Sequence, residues 1–136
     1  MAFNSADTAA FKNVWVFCEQ RQGVMMPTTF ELISEGRKLA NELGVELCGI
    51  LLGDNVDGIA AELGGQFDRV VCSGGDGTLS ETVSGLMQLD HPPVLGYIPF
   101  GSTNDCATTL RLPRDPVKAA QTASETGVPR PWDIGR

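Results

Sequence analysis

Short strand-like runs alternate with helical patterns along the whole of this 136-residue chain, and that alternation constrains its fold more than any other feature. The runs are Val14–Cys18, Glu46–Gly53, Phe67–Cys72 and Val94–Ile98. Strands separated by helices return to one sheet through crossovers, which predicts parallel βαβ units with right-handed connections. A continuous apolar run such as Val14-Trp-Val-Phe-Cys18 further predicts a strand covered on both faces. The expected fold class is therefore α/β, a doubly wound parallel sheet in three layers, α/β/α. The gaps between elements leave no room for a linker, so residues 1–136 are expected to form a single domain, with 1–12 as a loose arm.

The helical stretches carry their own signals. Gly23 and Pro27 mark a loop, with Met25-Met26 as an apolar pair inside it. Thr28 and Glu31 then have capping-box spacing, and Leu32, Ile33, Gly36, Leu39, Ala40 and Leu43 recur on one face before Gly44 stops the helix. Asn55 is expected to cap a shorter helix with Val56, Ile59, Ala60 and Leu63 on its inner side. Thr78 and Glu81 repeat the capping-box spacing, with Leu79, Val83, Leu86 and Met87 as the buried side. Asp115-Pro116 reads as an N-cap followed by proline at the first helical position, the last helix ends near Gly127, and Val128–Arg136 approaches a further strand.

Two loops carry the chemistry. Ser73-Gly-Gly-Asp-Gly-Thr78 stands between a strand and a helix, so its three glycines let the main chain approach an anion at a helix N-terminus. Gly101-Ser-Thr-Asn-Asp105 follows the next strand and is expected at the same sheet edge, forming one crevice with the first loop. The formal charge of −7 and the ten scattered Lys and Arg argue against nucleic acid or an anionic membrane surface as partner. Arg111 and Arg114 are the cations near the second loop. Cys18, Cys48, Cys72 and Cys106 form no CxxC pair and the single His91 stands apart, so no metal site is expected and the thiols read as free residues of a reducing cytoplasm. No signal peptide is apparent, and no apolar run nears the roughly 20 residues of a membrane span.

From about Phe67 onward the sequence resembles the nucleotide-binding domain of the diacylglycerol kinase and bacterial lipid kinase family. The residues that carry the resemblance are Gly74-Gly-Asp-Gly-Thr78, Glu81 and Gly85, Leu95-Gly-Tyr-Ile-Pro99, Gly101-Ser-Thr-Asn-Asp105 and Asp133-Ile-Gly135. The resemblance implies that Asp76 lies near the γ-phosphate and activates the acceptor hydroxyl; the alternative is that it only caps its helix. It implies phosphate contacts from Gly74, Gly75, Gly77, Thr78 and Gly101, and nucleotide contacts from Thr103 and Asn104, against which stands a helix cap by Ser102 or Thr103. Glu81 would assist at the nucleotide site or serve its capping box alone.

Before Phe67 the chain is similar to the N-terminal domain of the electron transfer flavoprotein alpha subunit, through Val14-Trp-Val-Phe-Cys-Glu-Gln-Arg-Gln-Gly23, Glu31–Ala40 and Gly49–Gly53. Where the lipid kinases carry an Asn-Pro phosphate loop, this chain has Glu19, Gln20 and Arg21. Glu19, Arg21 and Gly23 match the flavoprotein's loop or form a solvated turn. The two resemblances together imply a chimera, engineered or natural, of two flavodoxin-like, Rossmann-like halves, 13–67 and 68–136, with its seam between Gly65 and Val71. The implied function is a nucleotide-binding domain with a lipid kinase type site for ATP with Mg and little or no kinase activity, because neither parent's C-terminal domain is expected. Flavin is not expected. The alternatives are an interaction module that pairs with a flavoprotein beta subunit or as a homodimer, and a structural chimera without activity.

Overall fold

The computed structural model describes residues 4–53, 55–126 and 128–135. After a single 3-10 turn at Thr8–Ala10, the chain runs β1 (Val14–Phe17), β2 (Gln20–Arg21), β3 (Val24–Met25), α1 (Pro27–Leu43), β4 (Leu47–Leu52), α2 (Asp57–Gly64), β5 (Arg69–Gly74), α3 (Asp76–Leu86), β6 (Val94–Pro99), α4 (Asp105–Thr109) and α5 (Pro116–Gln121). Strands β1, β4, β5 and β6 form one parallel sheet in that order, and β2 and β3 form a small antiparallel hairpin. Strand order follows chain order without reversal, so each loop at the carboxyl end emerges beside the next.

Val16 pairs with Gly49, Gly49 with Val70, and Val70 with Leu95, so these residues share one face of the sheet. Right-handed crossovers that advance in one direction put their helices on that same face. There Val16, Leu47, Leu51 and Val70 meet Ile33 and Ala40 of α1, Ile59, Ala60 and Leu63 of α2, and Leu86 of α3. Cys72 and Tyr97 continue the layer against Leu79 of α3 and Ala107 of α4. The opposite face is covered over β5 and β6 by α5 and the π-helical turn Thr122–Thr126. Gly96 permits this approach, since a Cβ there would lie 2.9 Å from the Ala123 Cβ, and Arg69 Nη1 donates to the Ala123 carbonyl over 2.8 Å. Over β1 and β4 the second cover expected from the apolar runs is incomplete among the described residues: Cys48 is buried and Trp15 and Ile50 are half-buried, but Phe17 is 53% and Leu52 41% exposed.

Several local signals resolve differently from expectation. Helix α1 starts at Pro27 after an extended Met26, so Thr28 lies inside the helix and no capping box forms; proline at the first position needs no N–H and already has helical φ. Its buried face is Thr29, Ile33, Gly36 and Ala40, whereas Leu32, Leu39 and Leu43 are 50%, 51% and 68% exposed. Gly36 sets this rotation: a Cβ there would meet Leu47 Cδ1 at 2.9 Å and Val16 Cγ2 at 3.3 Å, so the smallest residue takes the closest point on the sheet. Gly44 ends the helix in the left-handed region, φ 65°.

Asn55 does not cap α2; Val56 stands at the N-cap position without a side-chain cap, and its N–H donates to Glu81 Oε2 of α3 over 3.2 Å. The capping box expected of Thr78 and Glu81 is therefore not made, and Gly75 stands at the N-cap of α3. Helices α2 and α3 touch at Gly85, where a Cβ would be 2.8 Å from the Ala60 Cβ and overlap the Asp57 carbonyl oxygen. Met87, expected on the buried side of α3, is exposed.

The loop expected around Gly23 is a β2–β3 hairpin whose central residues, Gln22 and Gly23, have φ of 53° and 77°. Positive φ at both central residues matches a type I′ turn. Met25 is buried in the core, not a loop residue, and Arg21 pairs with Glu19 in solvent. Asp115 caps α5 as expected, accepting the Lys118 N–H over 2.9 Å. Gly127 lies outside the described residues, and 128–135 carries no strand.

At the expected seam, Asp68 joins several elements. It accepts the Leu47 N–H at 2.8 Å and Arg37 Nη1 at 3.0 Å, its N–H donates to the Leu47 carbonyl, and its carbonyl accepts from Val94. Partial burial works against its charge, but the Leu47 amide and Arg37 outweigh that and hold its carboxyl below the ordinary range. Among the described residues, no helix is long and apolar enough to cross a membrane.

Candidate functional site

Gly74 of β5 is in register with Pro99 of β6, so the loops that follow leave the sheet side by side. The Phe100 N–H donates to the Gly74 carbonyl over 2.8 Å, and beyond it the two backbones touch: a Cβ on Gly101 would sit 2.5 Å from the Gly75 Cα. Gly75 and Gly101 serve close approach here and not unusual dihedrals, for neither has positive φ.

Helix α3 begins without a side-chain cap of its own. Its Leu79 N–H donates to the Gly75 carbonyl over 3.1 Å, so the amides of Asp76, Gly77 and Thr78 precede the helical ladder. Gly77 is exposed and nothing lies within 4 Å of where its Cβ would be, which leaves open space at this end of the helix. An anion there meets helix-start amides and the positive end of an 11-residue helix. Thr78 itself is buried beneath the loop with its hydroxyl against Gly74.

The Asp76 carboxylate reaches across to the second loop. Its Oδ2 accepts the Asp105 N–H at 2.8 Å and its Oδ1 the Cys106 N–H at 3.0 Å. Asp76 thus caps α4, whereas Asn104 at the N-cap position makes no side-chain cap and neither Ser102 nor Thr103 occupies it. The Asp105 amide first and the Cys106 amide second hold the Asp76 carboxyl below the usual carboxylate range. Burial, and then the charge of Asp76, push the Cys106 thiol up.

Asn104 takes a left-handed backbone, φ 56°, and folds its amide back on Gly101: Oδ1 accepts the Gly101 N–H at 3.0 Å and Nδ2 donates to the Gly101 carbonyl at 2.7 Å. Tyr97, buried in β6, donates its hydroxyl to the Gly74 carbonyl at 3.0 Å. Burial first and the Asp76 charge second push this phenol up to about 12, so it stays a protonated donor. Tyr97 was not among the expected site residues; a phenol in an otherwise apolar run, which must find a polar partner when buried, is the signal that points to it. The reach of Asp76 to a helix 29 residues away has no local signal at all.

The structure therefore brings Gly74, Gly75, Asp76, Gly101 and Asn104 together, leaves Gly77 and Thr103 exposed beside them, and turns Glu81 toward α2. Among the described residues, no group of three or more His, Cys, Asp or Glu side chains is placed to hold a metal ion. All four cysteines are free thiols.

The sequence profile of the diacylglycerol kinase catalytic domain matches residues 28–136, well over half of the chain. The chain belongs to this family. The match begins far ahead of Phe67, so the kinase pattern extends into the part that also resembles a flavoprotein. Among solved structures, a diacylglycerol kinase from Bacillus anthracis str. Sterne superposes with a TM-score of 0.52 at 26% identity, over 82% of this chain and 38% of that one. A lipid kinase YegS-like protein of Chromohalobacter salexigens is 37% identical over 121 residues, 84% of this chain and 37% of the relative. The acryloyl-CoA reductase electron transfer subunit beta of Anaerotignum propionicum is 66% identical over 72 residues, 52% of this chain and 20% of the relative. The kinase and electron-transfer likenesses together exceed the length of the chain, so they overlap. This kinase-family chain spans well under half the length of each of these relatives.

Proposed function

We propose that this chain binds the phosphates of Mg-ATP or Mg-ADP between the Gly74–Thr78 and Gly101–Asn104 loops, and that by itself it transfers little or no phosphate. The observation that carries this reading is the backbone contact of Gly75 with Gly101, which holds two loops of the kinase family together with the start of α3 open beside them. The donors on offer are amides and hydroxyls, a set suited to phosphate oxygens. Magnesium then travels on the nucleotide, as it commonly does where phosphates supply most of its ligands.

Proton removal from an acceptor hydroxyl, the role family resemblance gives Asp76, needs a free carboxylate of sufficient basicity. Here both oxygens accept amides and the carboxyl is held acidic, so Asp76 acts as an anchor that keeps the second loop against the first. Phosphoryl transfer also needs charge neutralised from several sides, whereas these two loops add Asp76 and Asp105. The flavoprotein likeness favours a single α/β domain of chimeric origin with its seam between Gly65 and Val71, although the kinase pattern, which starts at residue 28, runs through that seam, and the buried free thiols suit a reducing cytoplasm. Calorimetric titration with Mg-ATP and Mg-ADP, beside a diacylglycerol phosphorylation assay with labelled ATP, tests both halves of the proposal. Saturable binding without labelled lipid is expected; absence of binding, or rapid lipid labelling, contradicts it.

One observation favours a second reading. Leu32, Leu39 and Leu43 form an exposed apolar stripe on α1, which would suit the chain to pairing with a flavoprotein beta-type subunit. Co-purification that is lost on changing all three leucines to glutamine is the expected outcome for that reading.

A further inference from the structure

Strand β1 is one edge of the sheet, and its ladder bonds go to β4 alone. The Val14 N–H donates to the Glu46 carbonyl over 3.0 Å and the Cys18 N–H to the Ile50 carbonyl over 2.9 Å. Alternate groups of a strand bond the same neighbour, so the N–H and carbonyl groups of Trp15 and Phe17 point to the open edge. Natural edges are usually blunted by lysine, proline or a bulge. Val14-Trp-Val-Phe17 has none of these, and Phe17 is exposed.

The same edge carries an apolar helix flank. At 3.6 residues per turn, Leu32, Leu39 and Leu43 lie to one side of Gly36, and the buried Thr29, Ile33 and Ala40 lie to the other. In a right-handed crossover from β1 to β4 the side that carries the leucines is the outer one, above the free edge, and all three are at least half exposed. Gly36 rests on both Val16 and Leu47, so α1 sits between β1 and β4. Opposite charges flank the strand: Lys12, which joins no ion pair among the described residues, precedes β1, and Glu19 follows it.

We infer that a second copy of this chain occupies this edge, β1 against β1 in antiparallel register about Val16. Trp15 then stands opposite the partner's Phe17 and exchanges both backbone hydrogen bonds with it, and the two aromatic side chains share one face. The Phe17 carbonyl already accepts the Glu19 N–H over 3.1 Å and keeps a second lone pair for this. Paired strands lie about 4.8 Å apart, so two α1 helices, each seated half a spacing inside β1, come to about 10 Å, the separation of packed helices. Their leucine flanks meet there, Leu32 toward the partner's Leu43. The antiparallel arrangement also carries Lys12 toward the partner's Glu19. Edge, helix flank and charge all obey one two-fold axis, which a second copy satisfies and the flavoprotein-type subunit weighed above does not require. The glycine-rich loops take no part in this edge, so the assembly goes beyond the nucleotide reading and stands or falls independently of it.

The test is sedimentation of the whole chain over a wide range of concentration, with amide hydrogen exchange at both ends of the range. A reversible monomer–dimer equilibrium is expected. Where about nine-tenths of the chain is dimeric, only the monomeric remainder exposes the edge, so the Trp15 and Phe17 amides should exchange about tenfold more slowly than at high dilution. Leu39→Glu places two carboxylates near the axis and should abolish the dimer. Should that variant not fold, charge exchange decides: Lys12→Glu and Glu19→Lys each weaken association, on the order of fivefold for two exposed pairs, and combined in one chain they restore it. A monomer at every concentration, including one that associates only with a flavoprotein beta-type subunit, overturns the inference. So does a dimer in which Trp15 and Phe17 exchange as they do in the monomer, or one indifferent to both Leu39→Glu and the single charge changes.

Discussion

Two glycines of the same site are predicted to respond in opposite ways to one added methyl. In Gly101→Ala the new Cβ would lie 2.5 Å from the Gly75 Cα, 3.2 Å from the Gly75 nitrogen and 2.9 Å from Asn104 Oδ1, all of them fixed in hydrogen-bonded loops. Overpacking of this kind costs about 1–3 kcal/mol. Restricting the unfolded chain returns about 0.4–1 kcal/mol where φ is compatible, so net destabilisation on the order of 1–2 kcal/mol is expected. In Gly77→Ala nothing lies within 4 Å of the Cβ, and the residue sits in the first turn of α3, so the same substitution should stabilise by up to about 1 kcal/mol. That methyl would nevertheless fill the space at the helix start proposed for phosphate, so Mg-ATP binding should be lost as stability rises. Urea unfolding of both variants and the parent, paired with calorimetric Mg-ATP titration, measures both effects. A Gly101→Ala protein as stable as the parent, or a Gly77→Ala protein that binds Mg-ATP normally, would refute the geometry argued for the site.

Other perturbations follow from the same contacts. Because its folded pKa is depressed, Asp76 contributes stability that is complete above the ordinary value of 3.8 and is lost as pH falls below it; urea midpoints between pH 6 and pH 2 should therefore fall less steeply in Asp76→Asn than in the parent. Tyr97→Phe removes the phenol from the Gly74 carbonyl 3.0 Å away and should cost about 0.5–1.5 kcal/mol in urea unfolding. Burial pushes the Cys18 and Cys48 thiols up to about 12 and Cys72 to about 11. At pH 8 a thiol reagent should label the half-buried Cys106 first and reach those three only as fast as the protein unfolds.

The α/β class and the positions of the four sheet strands follow from the apolar runs, because a strand of a parallel sheet needs an apolar face whatever its surroundings. The rotation of α1 does not follow. Seven apolar or small residues, Leu32, Ile33, Gly36, Leu39, Ala40, Leu43 and Phe30, are spread over more than one side of the helix. Only the contact of Gly36 with Leu47 and Val16 decides which of them face the sheet. The β2–β3 hairpin is not legible in the sequence, because Gln-Gly is a poorer turn signal than Asn-Gly. At the candidate site the two loops and their glycines are legible from spacing alone. The partnership of Asp76 with Asp105 and Cys106 is not, since a capping carboxylate supplied from another helix leaves no pattern in either local sequence. The role of Glu81 is hidden for a related reason: its spacing suits a capping box, but α2 lies close enough through Gly85 to take the carboxylate instead.

The most direct measurement is a Mg-ATP titration of the whole chain followed by backbone amide NMR, run beside an Asp76→Ala variant. Saturable shifts confined to Gly74–Thr78 and Gly101–Asp105 in the parent, weakened in Asp76→Ala as the second loop loses its anchor, are expected of a nucleotide site built from these two loops. No shift up to millimolar Mg-ATP would show that the glycine-rich turn only joins a strand to a helix, and equal binding by the variant would contradict the anchoring role of Asp76.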